Sequence, residues 1–125
     1  MALKIGPIQI FVSDLERAVK FYKKLGFKLS RNYPEWKCAY MRFGKLEFDI
    51  GVPNKSWGNG WQKYKKLVGK SAGLFFETDD IGKNYIQLTK KKVRFTQPPK
   101  KFPWGEIKAI FEDPDGNEFA IIQVQ

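Results

Sequence analysis

At 125 residues, 42% of them hydrophobic and 16% aromatic, the chain can build one compact core and is not a disordered segment, even with 29% of its residues charged. Lysine and arginine exceed aspartate and glutamate by 23 to 13, a formal net charge of +10. Histidine is absent, which excludes Ser-His-Asp and Cys-His nucleophilic sites and removes the commonest zinc and iron ligand.

Alternation of Ile8, Ile10 and Val12 with Pro7, Gln9 and Phe11 predicts a first strand. Ser13-Asp14 then reads as a helix N-cap with Glu16 in the first turn; Leu15, Val19, Phe21, Tyr22 and Leu25 form the apolar stripe, and Gly26 ends the helix. A short strand is expected over 27–30. Residues 37–43, the pair Gly44-Lys45 and residues 46–50 predict a hairpin with a two-residue turn. Its register sets Phe43 against Leu46, Arg42 against Glu47, Met41 against Phe48 and Tyr40 against Asp49. One face is then apolar (Met41, Phe43, Leu46, Phe48, Ile50), and the other carries Tyr40, Arg42, Glu47 and Asp49.

Residues 52–71 read as a linker broken by Pro53, Gly58, Gly60 and Gly69, yet Trp57, Trp61 and Tyr64 make it too aromatic for a free one; a short helix is expected over 61–67. After it the first pattern recurs. A strand over 73–78 leads to Asp79-Asp80, which opens a helix to about Lys91 with Ile81, Tyr85, Ile86 and Leu88 on its apolar side. A short strand over 93–96 is interrupted by Gln97-Pro98-Pro99, and a second hairpin follows over 106–111 and 118–124 around Asp113-Pro114-Asp115-Gly116. The expected fold class is α+β: two βαβββ modules forming a curved mixed sheet around a central cleft. The whole of 1–125 is expected to be a single domain, with modules over 1–51 and 72–125 and a linker over 52–71.

Two stretches are basic and free of acids: Lys55, Lys63, Lys65, Lys66 and Lys70, then Lys83, Lys90, Lys91, Lys92, Arg94, Lys100 and Lys101. Such runs suit nucleic acid, but no helix-turn-helix, zinc-finger or RNA-binding signature accompanies them. A solvated surface is therefore the expected role, and nucleic acid is not an expected partner. Cys38, the single cysteine, has no histidine to activate it and reads as structural. No apolar run approaches the roughly 18 residues that span a bilayer, and residues 1–4 lack the apolar stretch of a signal peptide; a cytoplasmic location without membrane partners is expected.

The string Ile8-Gln9-Ile10-Phe11-Val12-Ser13-Asp14-Leu15, followed by Ala18-Val19-Lys20-Phe21-Tyr22 and Leu25-Gly26-Phe27, resembles the opening of the vicinal-oxygen-chelate superfamily, the glyoxalase I, bleomycin-resistance protein and extradiol-dioxygenase group. Phe76-Glu77-Thr78-Asp79-Asp80-Ile81 is similar to the start of that superfamily's second half. Phe111-Glu112-Asp113-Pro114-Asp115-Gly116-Asn117-Glu118 is similar to its closing signature. The resemblance covers nearly the whole chain in order, and it is specific to the superfamily rather than to one chemistry. It implies metal ligands, histidine or carboxylate, at four strand positions, which fall here on Pro7, Glu47 or Asp49, Gly73 and Ala120. Three of these offer no donor, and one carboxylate is short of the three or four ligands a site requires, so neither a metal nor another cofactor is expected. A displaced donor set would draw on Gln9, Glu77 and Glu118.

The resemblance also implies helices on one face of each sheet and a ligand cleft on the other. Strand parity then assigns Ile8, Ile10, Val12, Leu46, Phe48, Ile50, Leu74, Phe76, Phe119 and Ile121 to the helix face. Gln9, Phe11, Tyr40, Arg42, Glu47, Asp49, Phe75, Glu77, Phe111, Glu118 and Ala120 fall on the cleft face. The expected ligand-binding set is Gln9, Phe11, Tyr40, Arg42, Glu47, Asp49, Phe75, Trp104, Phe111 and Glu118, with no catalytic or metal-binding residue assigned. Trp57, Trp61 and Trp104 read either as ligand-stacking walls or as packing for the linker or a dimer contact. The cleft carboxylates favour a cationic or amine-bearing ligand unless Arg42 and Glu47 merely neutralise each other, and the surface lysines favour an anionic one, so ligand charge stays open. The expected function is metal-independent binding of a small cationic or aromatic compound, such as an antibiotic, by a homodimer, in the manner of bacterial bleomycin-resistance proteins. The alternative is an enzyme of the same superfamily, lyase, isomerase or dioxygenase-like, with Glu47, Asp49 or Glu118 as general base.

Overall fold

A computed structural model describes residues 3–70 and 73–124. The chain divides into two compact units, residues 1–68 and 69–125, each an α+β arrangement built on one four-stranded sheet.

In the first unit β1 (Ile8–Phe11) leads into α1 (Leu15–Leu25), then β2 (Lys28–Tyr33), β3 (Cys38–Phe43) and β4 (Leu46–Gly51). The strand order is β1-β4-β3-β2, with β1 parallel to β4 and the other pairs antiparallel. Asp14 caps α1 by accepting the Arg17 N–H at 3.0 Å, and Gly26 ends it at φ 107°, a left-handed turn that glycine adopts without strain. The β3–β4 register is the one read from the sequence: Phe43 pairs with Leu46, Arg42 with Glu47, Met41 with Phe48 and Tyr40 with Asp49. Pleating therefore sends Met41, Phe48 and Ile50 to one side, where they close on Tyr22 of α1 and on Val12, all essentially without solvent contact. Phe27 bridges this core, its ring 5.2 Å from Tyr22 and 5.1 Å from Phe48. The strand expected over 27–30 is longer; β2 continues past an irregularity between Leu29 and Arg31 to reach Tyr33.

Residues 52–68, read from the sequence as linker, belong to this first unit. Asn54 anchors them: its Nδ2 donates to the Trp36 and Val52 carbonyls at 3.0 and 2.8 Å, and its Oδ1 accepts from the Ser56 backbone. A 3-10 turn at Lys55–Trp57 and the single-turn α2 (Gln62–Lys65) follow, shorter than the helix expected over 61–67.

The second unit repeats the order: β5 (Leu74–Glu77), α3 (Ile81–Lys90), β6 (Arg94–Lys101), β7 (Glu106–Glu112) and β8 (Glu118–Val124), arranged β5-β8-β7-β6. Asp80 caps α3 through the Lys83 N–H at 3.0 Å. Two expectations are corrected here. The prolines do not interrupt the third strand of this unit: β6 runs through Pro98 and Pro99 to Lys101, with its register slipping between Gln97 and Lys100. As the outermost strand it tolerates residues that cannot donate to a ladder. Phe111, in turn, lies on the helix-covered face and not on the open one. The β7–β8 turn has five residues, 113–117, closed by the Asp113 N–H on the Asn117 carbonyl at 2.9 Å. Asp113 Oδ1 accepts from the N–H groups of Asp115 and Asn117, and its Oδ2 from Asn117 Nδ2 at 2.8 Å. That turn pairs Glu112 with Glu118 and Phe111 with Phe119, so the two phenylalanines share a face. Phe111 is 1% exposed, with its ring 5.5 Å from those of Phe119 and Phe95.

Candidate binding site on the first sheet

The face of the first sheet opposite α1 is organised in cross-strand rows. Gln9 of β1 pairs with Asp49 of β4, which pairs with Tyr40 of β3. One row further along the strands, Phe11, Gly51 and Cys38 stand side by side. On the other side of the Asp49 row lies the pair Glu47–Arg42.

An aromatic wall rises over this face because the chain after β4 folds back on it. Gly51 leaves room for the Trp57 indole: a Cβ there would lie 2.8 Å from the ring. The indole is fixed by its Nε1–H on the Trp36 carbonyl at 3.0 Å, the same oxygen that Asn54 holds. Tyr64 stacks on Phe11 at 5.3 Å between centroids, and Trp57 meets Tyr64 edge-on at 6.1 Å. Gln9, Trp36, Cys38, Asp49, Ser56, Trp57 and Tyr64 line a broad, open recess of about 390 Å³, within the range of small-molecule sites.

The two carboxylates of this face differ in kind. Glu47 Oε2 accepts the Ser30 hydroxyl at 3.0 Å and faces the Arg42 guanidinium at 3.9 Å. Asp49 Oδ1 is shielded from solvent and has no hydrogen-bond partner, and burial raises the Asp49 pKa above its ordinary value. Its neighbours feel it: burial first, and then the Asp49 charge, push up both the Tyr40 phenol and the Cys38 thiol. Asp49 is thus an acceptor in an aromatic recess, and among the described residues no group supplies a donor to its Oδ1.

The residues expected to bind ligand are distributed as follows. Gln9 and Asp49 line the cavity; Phe11 backs its wall through Tyr64, and Tyr40 adjoins Asp49 in register. Arg42 and Glu47 are occupied with one another. Phe75 and Glu118 lie on the open face of the second unit, beside a recess of only about 40 Å³ where Lys108 Nζ sits 5.0 Å above the Phe75 ring. Trp104, at the β6–β7 turn, is 71% exposed and stacks on Phe102 at 4.8 Å. Phe111 is core. Trp36, Ser56, Trp57 and Tyr64 lie outside the expected set, although Trp57 reads from the sequence as either a ligand wall or packing, and Cys38 reads only as structural. The usable signal was the density of aromatic residues in a segment too rich in them to be a free linker.

Residues 4–121 match the family model described as Glyoxalase/Bleomycin resistance protein/Dioxygenase superfamily. The chain belongs to this superfamily. It is 34% identical to YurT of Bacillus subtilis (strain 168), over 97% of this chain and 99% of that protein. It is 30% identical to a probable chloroplastic lactoylglutathione lyase of Arabidopsis thaliana over 90% of its own length, and spans 33% of that plant protein. TnmS3, an antibiotic binding protein from Streptomyces sp. CB03234, superposes with a TM-score of 0.70 at 26% identity, over 99% of this chain and 100% of that one. UcmS2 matches the fold at a TM-score of 0.79, with 22% identity and 98% coverage of both chains.

The metal positions of the superfamily fall on Pro7, Glu47 or Asp49, Gly73 and Ala120. A pyrrolidine ring, a hydrogen and a methyl group donate nothing to a cation, and Glu47 is already held by Ser30 and Arg42. Among the described residues no group of three or more His, Cys, Asp or Glu is placed to hold a metal ion. The residues present do not fit a divalent metal.

Proposed function

We propose that the protein binds a small aromatic compound without the aid of a metal, in the Asp49 cavity of the first unit. The observation that carries this reading is the shielded Asp49 Oδ1, an acceptor without a partner at the base of a recess walled by Trp36, Trp57 and Tyr64. A ligand N–H donated to the Asp49 carboxylate would offset the cost of burying it unpaired. TnmS3 is named an antibiotic binding protein, and sequestration of an antibiotic-like compound is in keeping with this recess; the proposed acting form is a cytoplasmic homodimer, whose mass light scattering measures. The test is a thermal-shift screen of aromatic compounds with and without N–H donors, followed by calorimetric titration of the hits. Hits enriched in N–H donors, and lost in Asp49→Ala, are expected; no stabilisation by any compound would sink the reading.

One observation favours a second reading. A carboxylate whose proton affinity is raised by burial is suited to general-base work on a carbonyl substrate. The plant lactoylglutathione lyases at about 30% identity make an isomerase or lyase assay the natural companion experiment. Turnover that disappears in Asp49→Asn would turn the binding site into an active site.

A further inference from the structure

The β6–β7 hairpin of the second unit carries two features that its fold does not call for. The first is the turn, which reads Phe102-Pro103-Trp104-Gly105. It is closed by the Phe102 N–H on the Glu106 carbonyl at 2.8 Å, and Gly105 supplies the left-handed residue at φ +94°. Nothing in that geometry requires Trp104. Its ring is largely exposed, and among the described residues its one ring contact is Phe102, stacked 4.8 Å away. The second feature is a like-charge pair. Lys100 of β6 stands directly opposite Lys108 of β7, an arrangement that weakens a ladder. Lys100 Nζ lies 5.3 Å from the Phe102 ring centroid and Lys108 Nζ 5.0 Å from that of Phe75, and among the described residues neither forms an ion pair. Lys101 is also exposed, so this hairpin end sets Lys100, Lys101 and Lys108 against the single acid Glu106. It also outruns its sheet: β5 ends at Glu77, in the row of Ile122, Lys108 and Lys100, while β6 and β7 continue through the pair Lys101–Ile107 to the turn.

We infer that this hairpin end is a peripheral contact for an anionic lipid surface, with the Trp104 ring at headgroup depth and the three lysines on lipid phosphates. An indole, apolar in its body and with an N–H donor at its edge, suits the interfacial layer, and a basic cluster beside it is drawn by the negative surface potential. The shape favours a membrane over a nucleic acid. A strand of bases takes a groove with a succession of open rings, whereas here Phe102 and Trp104 cover one another at a single turn. Among the described residues no helix is long and apolar enough to cross a membrane, which says nothing against contact with its surface.

Sedimentation of the full chain with phosphatidylglycerol vesicles tests this, with phosphatidylcholine vesicles as the neutral control. Binding to the anionic vesicles alone is expected at about 0.05 M salt, and its loss at about 0.5 M. A lysine at such a surface is worth about fivefold in partition, so Lys100→Ala combined with Lys101→Ala lowers it roughly 25-fold. Trp104→Ala lowers it about tenfold and removes the blue shift of tryptophan emission that accompanies binding. Lys65→Ala combined with Lys66→Ala takes the same charge from the first unit and leaves the partition nearly unchanged. Thermal unfolding confirms that each variant is folded, since every replaced side chain lies at the surface. Equal losses in the two lysine double variants would mean that net charge alone holds the protein to the vesicle, and would overturn the assignment. No binding to phosphatidylglycerol at low salt would overturn it as well. A single-stranded oligonucleotide bound more tightly than the vesicles, and lost in Trp104→Ala, would overturn it in favour of nucleic acid.

Discussion

Replacing Asp49 with asparagine should make the protein more stable and a poorer binder. The carboxylate is half-buried, its Oδ1 has no hydrogen-bond partner, and burial holds its pKa above the ordinary 3.8. The native state therefore binds this proton more tightly than the unfolded chain does. Stability from the protonated form is complete below the unfolded value and is lost as pH rises through the raised native value, so at neutral pH the charge works against folding. Asparagine keeps an unpartnered oxygen but removes its charge, and the added cost of burying the charged form, discounted for a side chain still half open to water, is about 1 kcal/mol. In a chain of 125 residues that corresponds to about 3–5 °C in Tm. Scanning calorimetry of Asp49→Asn should show this gain at roughly pH 8 and little of it at roughly pH 4, where the wild-type group takes up its proton. Affinity for an N–H ligand should fall about tenfold, because a neutral amide oxygen replaces a charged acceptor. A variant less stable than wild type at neutral pH, or a gain independent of pH, would refute the account of Asp49 as an unpaired, desolvated charge.

Three further outcomes follow from the same geometry. Gly51→Ala places a methyl group about 2.8 Å from the Trp57 indole, which is pinned to Trp36, so the ring must leave the cavity wall; a loss of about 1–3 kcal/mol in urea denaturation and a red-shifted tryptophan emission are expected. Phe111→Ala empties the packing among Phe76, Phe95 and Phe119 and costs about 3–5 kcal/mol, while the affinity of the fraction that remains folded is unchanged, as calorimetric titration would show. Gly69→Ala combines φ +76° with a Cβ inside contact distance of the Asp115 carbonyl oxygen, and a drop of about 1–3 kcal/mol in the denaturation midpoint is its signature.

The elements were legible because local signals agreed with one another. Asp14 and Gly26 mark the ends of α1, and the two-residue Gly44-Lys45 turn fixes the register of β3 on β4, which puts Asp49 and Tyr40 side by side. Phe111 is misplaced because the hairpin bounds 106–111 and 118–124 leave a six-residue turn and set it opposite Glu118, whereas it pairs with Phe119. The five-residue turn braced by Asp113 and Asn117 sets the pairing, and a one-residue difference in that count flips the face. Pro98 and Pro99 misled because local chemistry does not say which strand lies outermost. The cavity itself was only half legible. Gln9 and Asp49 follow from strand parity, but Trp57 and Tyr64 reach the sheet through a loop whose path depends on Asn54 holding the Trp36 carbonyl, a contact 18 residues apart in sequence.

The two sheets share strand order and pairing, so their positions can be compared row by row. On the helix-covered faces the correspondence is conservative: Phe48 and Met41 in the first unit stand where Phe119 and Phe111 stand in the second, and all four are buried. On the open faces it is not. The row Gln9–Asp49–Tyr40 corresponds to Phe75–Ala120–Ile110, a polar row against an apolar one on the same pleat. Packing against a helix penalises both a lost methylene and a buried charge, which constrains the first kind of row. The second kind is held only by what comes to cover it. A carboxylate that costs stability and lacks a partner within its own protein is retained most simply by a ligand that supplies one, and only the first sheet carries it.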